Sequence, residues 1–256
     1  MAMPASRPPL VSAHIEGQAR LRRLVERVVA AIWDGLPAHD RANVDQWLST
    51  VVPVILQAQR ASASLTDAYI AQAMGRGPIG IDPADVIGAA VRNGVDPAEV
   101  YERPFVTLWG GLADGLDFPD ASAKALSRAK ATAAVDVQLT MRDTALAIDA
   151  ADPNLYGYRR VADPSACQFC KEVDGAYVKG ADGFVMALHN HCGCGLEVNK
   201  EPPDLARLLP DGTPADPRER ERLGYPETPT VAIREHGELG PLLVDSRQHF
   251  TGPNDF

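Results

Sequence analysis

All four cysteines of this 256-residue chain, together with two of its six histidines, fall between Cys167 and Cys194. The order is Cys167-Gln168-Phe169-Cys170, a gap of eighteen residues, then His189-Asn190-His191-Cys192-Gly193-Cys194. Two residues between Cys167 and Cys170 let one tight turn aim both sulfurs at a single point, and the second cluster supplies the other half of a tetrahedron. Zinc suits such a cage, because thiolate and imidazole donors in four-coordination match a borderline-soft ion with no geometric demand of its own. Four protein ligands leave no position for a reactive water, so the expected site is structural, with one ion per chain.

Disulfides are the rival use of four cysteines. The segment from Met1 to Leu10 carries prolines and an arginine in place of the apolar core of a signal peptide, and no apolar run reaches the length of a membrane span. The chain is therefore expected to fold in a reducing cytosol, where this spacing reads as a metal site. Two ligand sets compete for the four places: Cys167, Cys170, His189 and Cys192, or Cys167, Cys170, Cys192 and Cys194. His189 is the favoured histidine, because its gap to Cys192 repeats that of the first cysteine pair. His191 reads as solvated, or as a hydrogen-bonding neighbour of the cage.

Between the two clusters, Asp174-Gly175 precedes the short apolar run Ala176-Tyr177-Val178. Both turn positions favour positive φ, which is a strong hairpin signal. A ribbon this small has little apolar surface of its own, so metal binding is expected to contribute most of its folding energy.

The rest of the chain reads as mainly α. Residues 1–14 look disordered, with prolines and small polar residues in place of periodicity. Leu21, Leu24, Val25, Val28, Val29 and Ile32 then fall at helical spacing. Asp40 is a fair N-cap for a second helix that carries Trp47, Val51, Ile55 and Leu56 inward, bends or restarts at Pro53, and stops at Gly75-Arg76-Gly77-Pro78. Asp82-Pro83 and Asp96-Pro97 each place a capping carboxylate before a proline at the first helical position, announcing two short helices, the second ending around Gly110-Gly111. From Asp120 to about Ala151 runs the longest helical pattern, around 30 residues or roughly 45 Å. Its seam of Leu126, Lys130, Ala133, Val137, Thr140 and Thr144, with Ala129, Met141 and Ile148 on adjoining rows, is too rich in alanine and threonine for a strong coiled coil. It reads as a spine for the N-terminal helices. The organisation that follows is a helical domain over 15–152, a zinc-bound β-ribbon module over 153–200, a proline- and charge-rich linker over 201–230, and a tail over 231–256. That tail holds Leu239, Leu242, Leu243 and Val244, which equally suit a docking peptide or a strap folded back on its own core.

A formal charge of -9 and a pI near 5.1 make the whole chain poorly suited to coating nucleic acid. Within the zinc module Arg159, Arg160, Lys171, Lys179 and Lys200 are matched one for one by Asp163, Glu172, Asp174, Asp182 and Glu197, a neutral balance that argues against a phosphate-binding knuckle. Catalytic motifs are no better supported. There is no Gly-x-Ser-x-Gly elbow and no His-Glu-x-x-His, and pairs such as Ser12 with His14 or Ser246 with His249 are generic. A hydrolytic zinc site would require water in place of one cysteine. No residue is assigned a catalytic role.

The long alanine-rich helix followed by Tyr158-Arg159-Arg160, Cys167-x-x-Cys170, Asp174-Gly175 and His189-x-x-Cys192-x-Cys194 resembles the tailed-phage head-morphogenesis family named after a Mu minor head protein. The pattern through Trp33, Pro53, Gln57 and Tyr69 is similar to versions from phages of actinobacteria, so the resemblance spans roughly residues 15–199. The segment His236-Gly237-Glu238-Leu239-Gly240-Pro241 also looks like their tails. The resemblance implies a low-copy minor capsid protein inside the head, near the portal, present in the host cytoplasm during assembly and acting in procapsid assembly or genome packaging. It implies Cys167, Cys170, His189, Cys192 and Cys194 as the functional positions. The implied partners are the portal protein and the major capsid or scaffolding protein, with packaged DNA met only indirectly and no membrane in the assembled head. Relatives are often labelled capsid maturation protease, which makes cleavage of scaffold or major capsid protein the alternative.

Overall fold

In the computed structural model the described residues are 8–163, 166, 170–171, 174–175, 177–178 and 193–199. They form a mainly helical structure closed at one end by a small antiparallel sheet. Four α-helices carry it: α1 (Pro9–Asp34), α2 (Val44–Met74), α3 (Pro97–Ala113) and α4 (Phe118–Ala151). Among the described residues no helix is long and apolar enough to cross a membrane.

The helix ends follow local chemistry. Proline at the first position of α1 needs no hydrogen-bond donor there, so the helix starts at Pro9 and takes in residues 9–14 of the stretch expected to be disordered. Asp40 caps a 3₁₀ turn, Arg41–Asn43, through the Asn43 amide, and α2 follows directly. This helix runs through Pro53 without restarting and stops at Gly75, whose φ of 67° is the left-handed conformation that ends helices. The segment opened by Asp82-Pro83 forms only 3₁₀ turns, Pro83–Asp85 and Ala90–Arg92, because Gly88, Asn93 and Gly94 all take positive φ and break the helical path. Asp96 caps α3 through the Ala98 amide, and α3 passes Gly110-Gly111 to end at Ala113. The cap of α4 is Asp117 rather than Asp120: its carboxylate accepts the Asp120 amide at 2.9 Å. At 34 residues α4 is about 50 Å long.

Packing explains why α4 is the spine. Ala121, Ala125, Ala129, Ala133 and Val137 recur every four residues and are sealed from solvent. This row makes the closest face, because methyl side chains let helix backbones approach closely; Leu126 of the expected seam is partly buried against the same cluster, and Lys130 is half-buried. Against it pack Val25, Val29 and Trp33 of α1, Trp47, Val51 and Ile55 of α2, and Tyr101, Phe105 and Leu108 of α3. The indoles meet edge to face, their centroids 5.3 Å apart, and both N–H groups are satisfied, Trp33 by Ser122 Oγ at 3.0 Å and Trp47 by the Tyr101 carbonyl at 2.6 Å. Leu24, expected on the inner face of α1, is exposed, since the buried row runs Val25-Val29-Trp33. Farther along α4, Asp136 is buried between Arg92 and Tyr101, accepting from Arg92 Nε at 2.6 Å and from the Tyr101 hydroxyl at 2.7 Å. Burial, reinforced by the charge of Asp136, holds the Tyr101 phenol well above its ordinary pKa.

Beyond α4 the chain forms β1 (Tyr158–Val161), β2 (Tyr177–Val178) and β3 (Gly195–Val198), ordered β2-β1-β3 with both pairings antiparallel. The strands share a core with the helices across the boundary expected at 153. Tyr158, Val161, Ala162, Leu196 and Val198 cluster with Val11 and Ile15 of α1, Ile70 of α2, and Met141, Ala145 and Ile148 of α4. The Tyr158 hydroxyl donates to the Ala145 carbonyl at 2.7 Å, and the Tyr69 hydroxyl to the Leu196 carbonyl at 3.1 Å. Helix α1 lies so close to β3 that a Cβ on Gly195 would collide with Ile15 Cγ1. Gly195→Ala should therefore lower stability to urea by about 1–3 kcal/mol through overpacking. The double variant with Ile15→Ala, which removes the colliding Cγ1, should lose measurably less than the sum of the two single losses; strict additivity would show that this contact is not the cause.

Candidate metal centre

Of the five expected ligands, Cys170 and Cys194 are described, while Cys167, His189 and Cys192 lie outside the described residues, as does His191. Among the described residues no group of three or more histidine, cysteine, aspartate or glutamate side chains is arranged to hold a metal ion. Cys170 and Cys194 are brought together in one respect: both are buried in the core that the sheet shares with α1, α2 and α4. Twenty-four positions separate them in sequence, so their common burial is a product of the sheet.

Each cysteine is positioned by identifiable contacts. Cys194 immediately precedes β3, and its carbonyl accepts a hydrogen bond from Gln138 Nε2 of α4 at 3.2 Å. Cys170 Sγ accepts from Arg160 Nη2 of β1 at 3.1 Å, with Arg160 itself buried. The Asp-Gly turn is tied to the same strand. Gly175, at φ 78°, donates its amide to the Arg160 carbonyl at 2.7 Å, and Asp174 Oδ1 takes the Ala162 amide at 2.6 Å. This anchors the turn onto β1 and delivers the chain into β2, which pairs with the same strand. Two buried sulfur donors, that of Cys170 held by Arg160, are compatible with a structural zinc ion.

Behind β3 lies a buried polar seam that apolar periodicity did not reveal, because most of its members are polar and His14 falls in the stretch expected to be disordered. His14 of α1 stacks on Tyr69 of α2, ring centroids 4.3 Å apart and planes within 8°. His14 Nε2 lies 3.4 Å from both Thr66 Oγ1 and Gln18 Nε2. Gln18 Nε2 donates to Thr66 Oγ1 at 3.0 Å and to the Ser62 carbonyl at 3.2 Å. Ser62 Oγ lies 2.9 Å from both Gln18 Oε1 and the Val137 carbonyl of α4. The seam thus links α1, α2 and α4, and Tyr69 carries it to the backbone of β3. Sequence offered one signal, the cluster of hydrogen-bonding side chains at helical spacing on two helices, His14 with Gln18 and Ser62 with Thr66. The other described histidine, His39, packs on Trp33, with Nε2 3.1 Å from the Trp33 carbonyl.

The environment of His14 has a measurable consequence. Burial lowers its pKa from 6.5 to about 4, and among the described residues Nδ1 has no hydrogen-bond partner to receive a second N–H. The folded protein therefore holds His14 neutral over a pH range in which the unfolded chain binds a proton. Its contribution is intact above pH 6.5 and is lost progressively as pH falls to about 4, amounting to about 3 kcal/mol. Subtracting the urea-unfolding profile of His14→Gln from that of wild type should isolate this slope. Parallel profiles between pH 7 and 4 would contradict a neutral buried imidazole.

No protein-family model, no curated protein and no solved structure matches this chain.

Proposed function

We propose that the chain is a portal-associated minor head protein of a tailed phage, acting in procapsid assembly or genome packaging and stabilised by one structural zinc ion. The observation that carries this reading is the Cys167-x-x-Cys170 and His189-x-x-Cys192-x-Cys194 constellation, set directly behind a long alanine-rich helix as in the family it resembles. The burial of Cys170 and Cys194 in the core shared by strands and helices supports it. Zinc would draw its four ligands from Cys167, Cys170, His189, Cys192 and Cys194. It would supply cross-linking, tying the chain between the two ligand clusters to the sheet, and the role is architectural because a closed four-ligand shell activates no water. The extended helical body gives such a protein surface for the portal and for the major capsid or scaffolding protein, and the linker and tail over 201–256 would extend that reach.

Metal content is the decisive measurement. Protein purified without added metal should contain one zinc per chain, and the fourth ligand should be identified by loss of zinc in only one of Cys194→Ser and His189→Ala. Zinc-loaded protein should also co-sediment with assembled portal rings, and Cys167→Ser should reduce both zinc content and that association. A metal-free wild type with paired thiols would refute the structural-zinc reading, and zinc-loaded protein that fails to co-sediment with portal rings would refute the portal assignment.

A further inference from the structure

Resting on the zinc reading, we infer that Arg160 is a positioning residue for the Cys170 ligand: its guanidinium orients the Cys170 sulfur and offsets the negative charge of that thiolate. Arg160 lies on the middle strand of the sheet, paired with Leu196 of β3. Its side chain is 1% exposed and donates through Nη2 to Cys170 Sγ at 3.1 Å. Its backbone carbonyl accepts the Gly175 amide, so one residue pins both the cysteine-bearing segment and the Asp-Gly turn that follows. Tyr158, two positions earlier on the strand, shares its face by the alternation of a strand and bonds to the Ala145 carbonyl of α4. Arg160 therefore enters the sulfur site from a strand that is itself fixed to the spine.

The chemistry of the side chain suits that role. A guanidinium keeps its charge under all ordinary conditions and presents several donors in a fixed plane, and burying it is costly unless negative charge lies close by. Zinc bound by three or four thiolates carries an excess of negative charge, and donors to the sulfurs stabilise such cages and set the direction of the ligand lone pairs. Methionine at this position would fill the space with no charge and no donor. Lysine would keep the charge but lose the planar fork.

Cobalt titration with zinc competition on the full chain tests this directly, comparing wild type with Arg160→Met and Arg160→Lys. Removing the guanidinium should weaken zinc binding by about 10–100-fold. It should also move the thiolate-to-cobalt charge-transfer band to lower energy, because sulfur that accepts no hydrogen bond is more electron-rich. Arg160→Lys should fall between the two. Wild-type affinity and an unshifted band in Arg160→Met would overturn the positioning role while leaving the zinc reading intact, whereas a wild type that binds neither metal would overturn both. If Arg160→Met loses its helical circular dichroism, Arg160→Lys decides: weakened binding with a shifted band supports the role, and binding and spectrum identical to wild type refute it.

Discussion

The structure depends on how closely other helices can approach α4. Alanine at 121, 125, 129 and 133 removes side-chain bulk along one row of a 34-residue helix, which allows α1, α2 and α3 to press large residues against it. Two indoles, Tyr101 and Phe105 fill the space left by those methyl groups. The arrangement is asymmetric by design of the sequence: small residues on the spine, large ones on its neighbours, with packing density rather than aromatic abundance supplying the cohesion. Dispersion contacts of this kind are individually weak and collectively large, and they need the backbones to be close.

A helix buried on several sides must also find partners for its polar groups. Along the second half of α4, Asp136 is held by Arg92 and Tyr101, the Thr140 hydroxyl donates to the Asp136 carbonyl, and Gln138 reaches the carbonyl of Cys194. These bonds specify direction where apolar packing specifies only proximity. They carry the order of the helical bundle into the sheet, and through Gln138 and Arg160 they reach the backbone of one candidate ligand and the sulfur of another. Local support for the sulfur site thus comes from α4 and β1, elements whose own positions are set by the core.

The candidate site was partly legible. Cysteine spacing named Cys170 and Cys194 and the intervening Asp-Gly turn without any structural input, because ligand geometry and positive φ are local demands. The supporting residues were not legible. Arg160 reads in sequence as one member of a balanced set of charges, and only strand alternation combined with helix contact buries it. His14 falls within the N-terminal stretch expected to be disordered and Gln18 just after it, and only the approach of α2 turns them into a sealed seam. The β-ribbon was likewise expected to draw most of its folding energy from metal. Its apolar face instead joins the bundle core, a long-range contact between Ile15 and Gly195 that no local pattern announces.

From sequence alone came the helical class, the caps at Asp40, Asp82 and Asp96, the stop at Gly75 and the concentration of metal-ligating residue types, since each follows from chemistry within a few residues of chain. Tertiary structure decided which face of α4 is buried, where α1 begins, that the Asp82 cap leads only to short 3₁₀ turns, and that the strands belong to the same core as the helices. Those outcomes turn on which surfaces meet. Local periodicity fixes the direction of a side chain relative to its own helix or strand, whereas the partner it meets depends on close approach between segments that lie from a few tens of residues to well over a hundred apart in sequence.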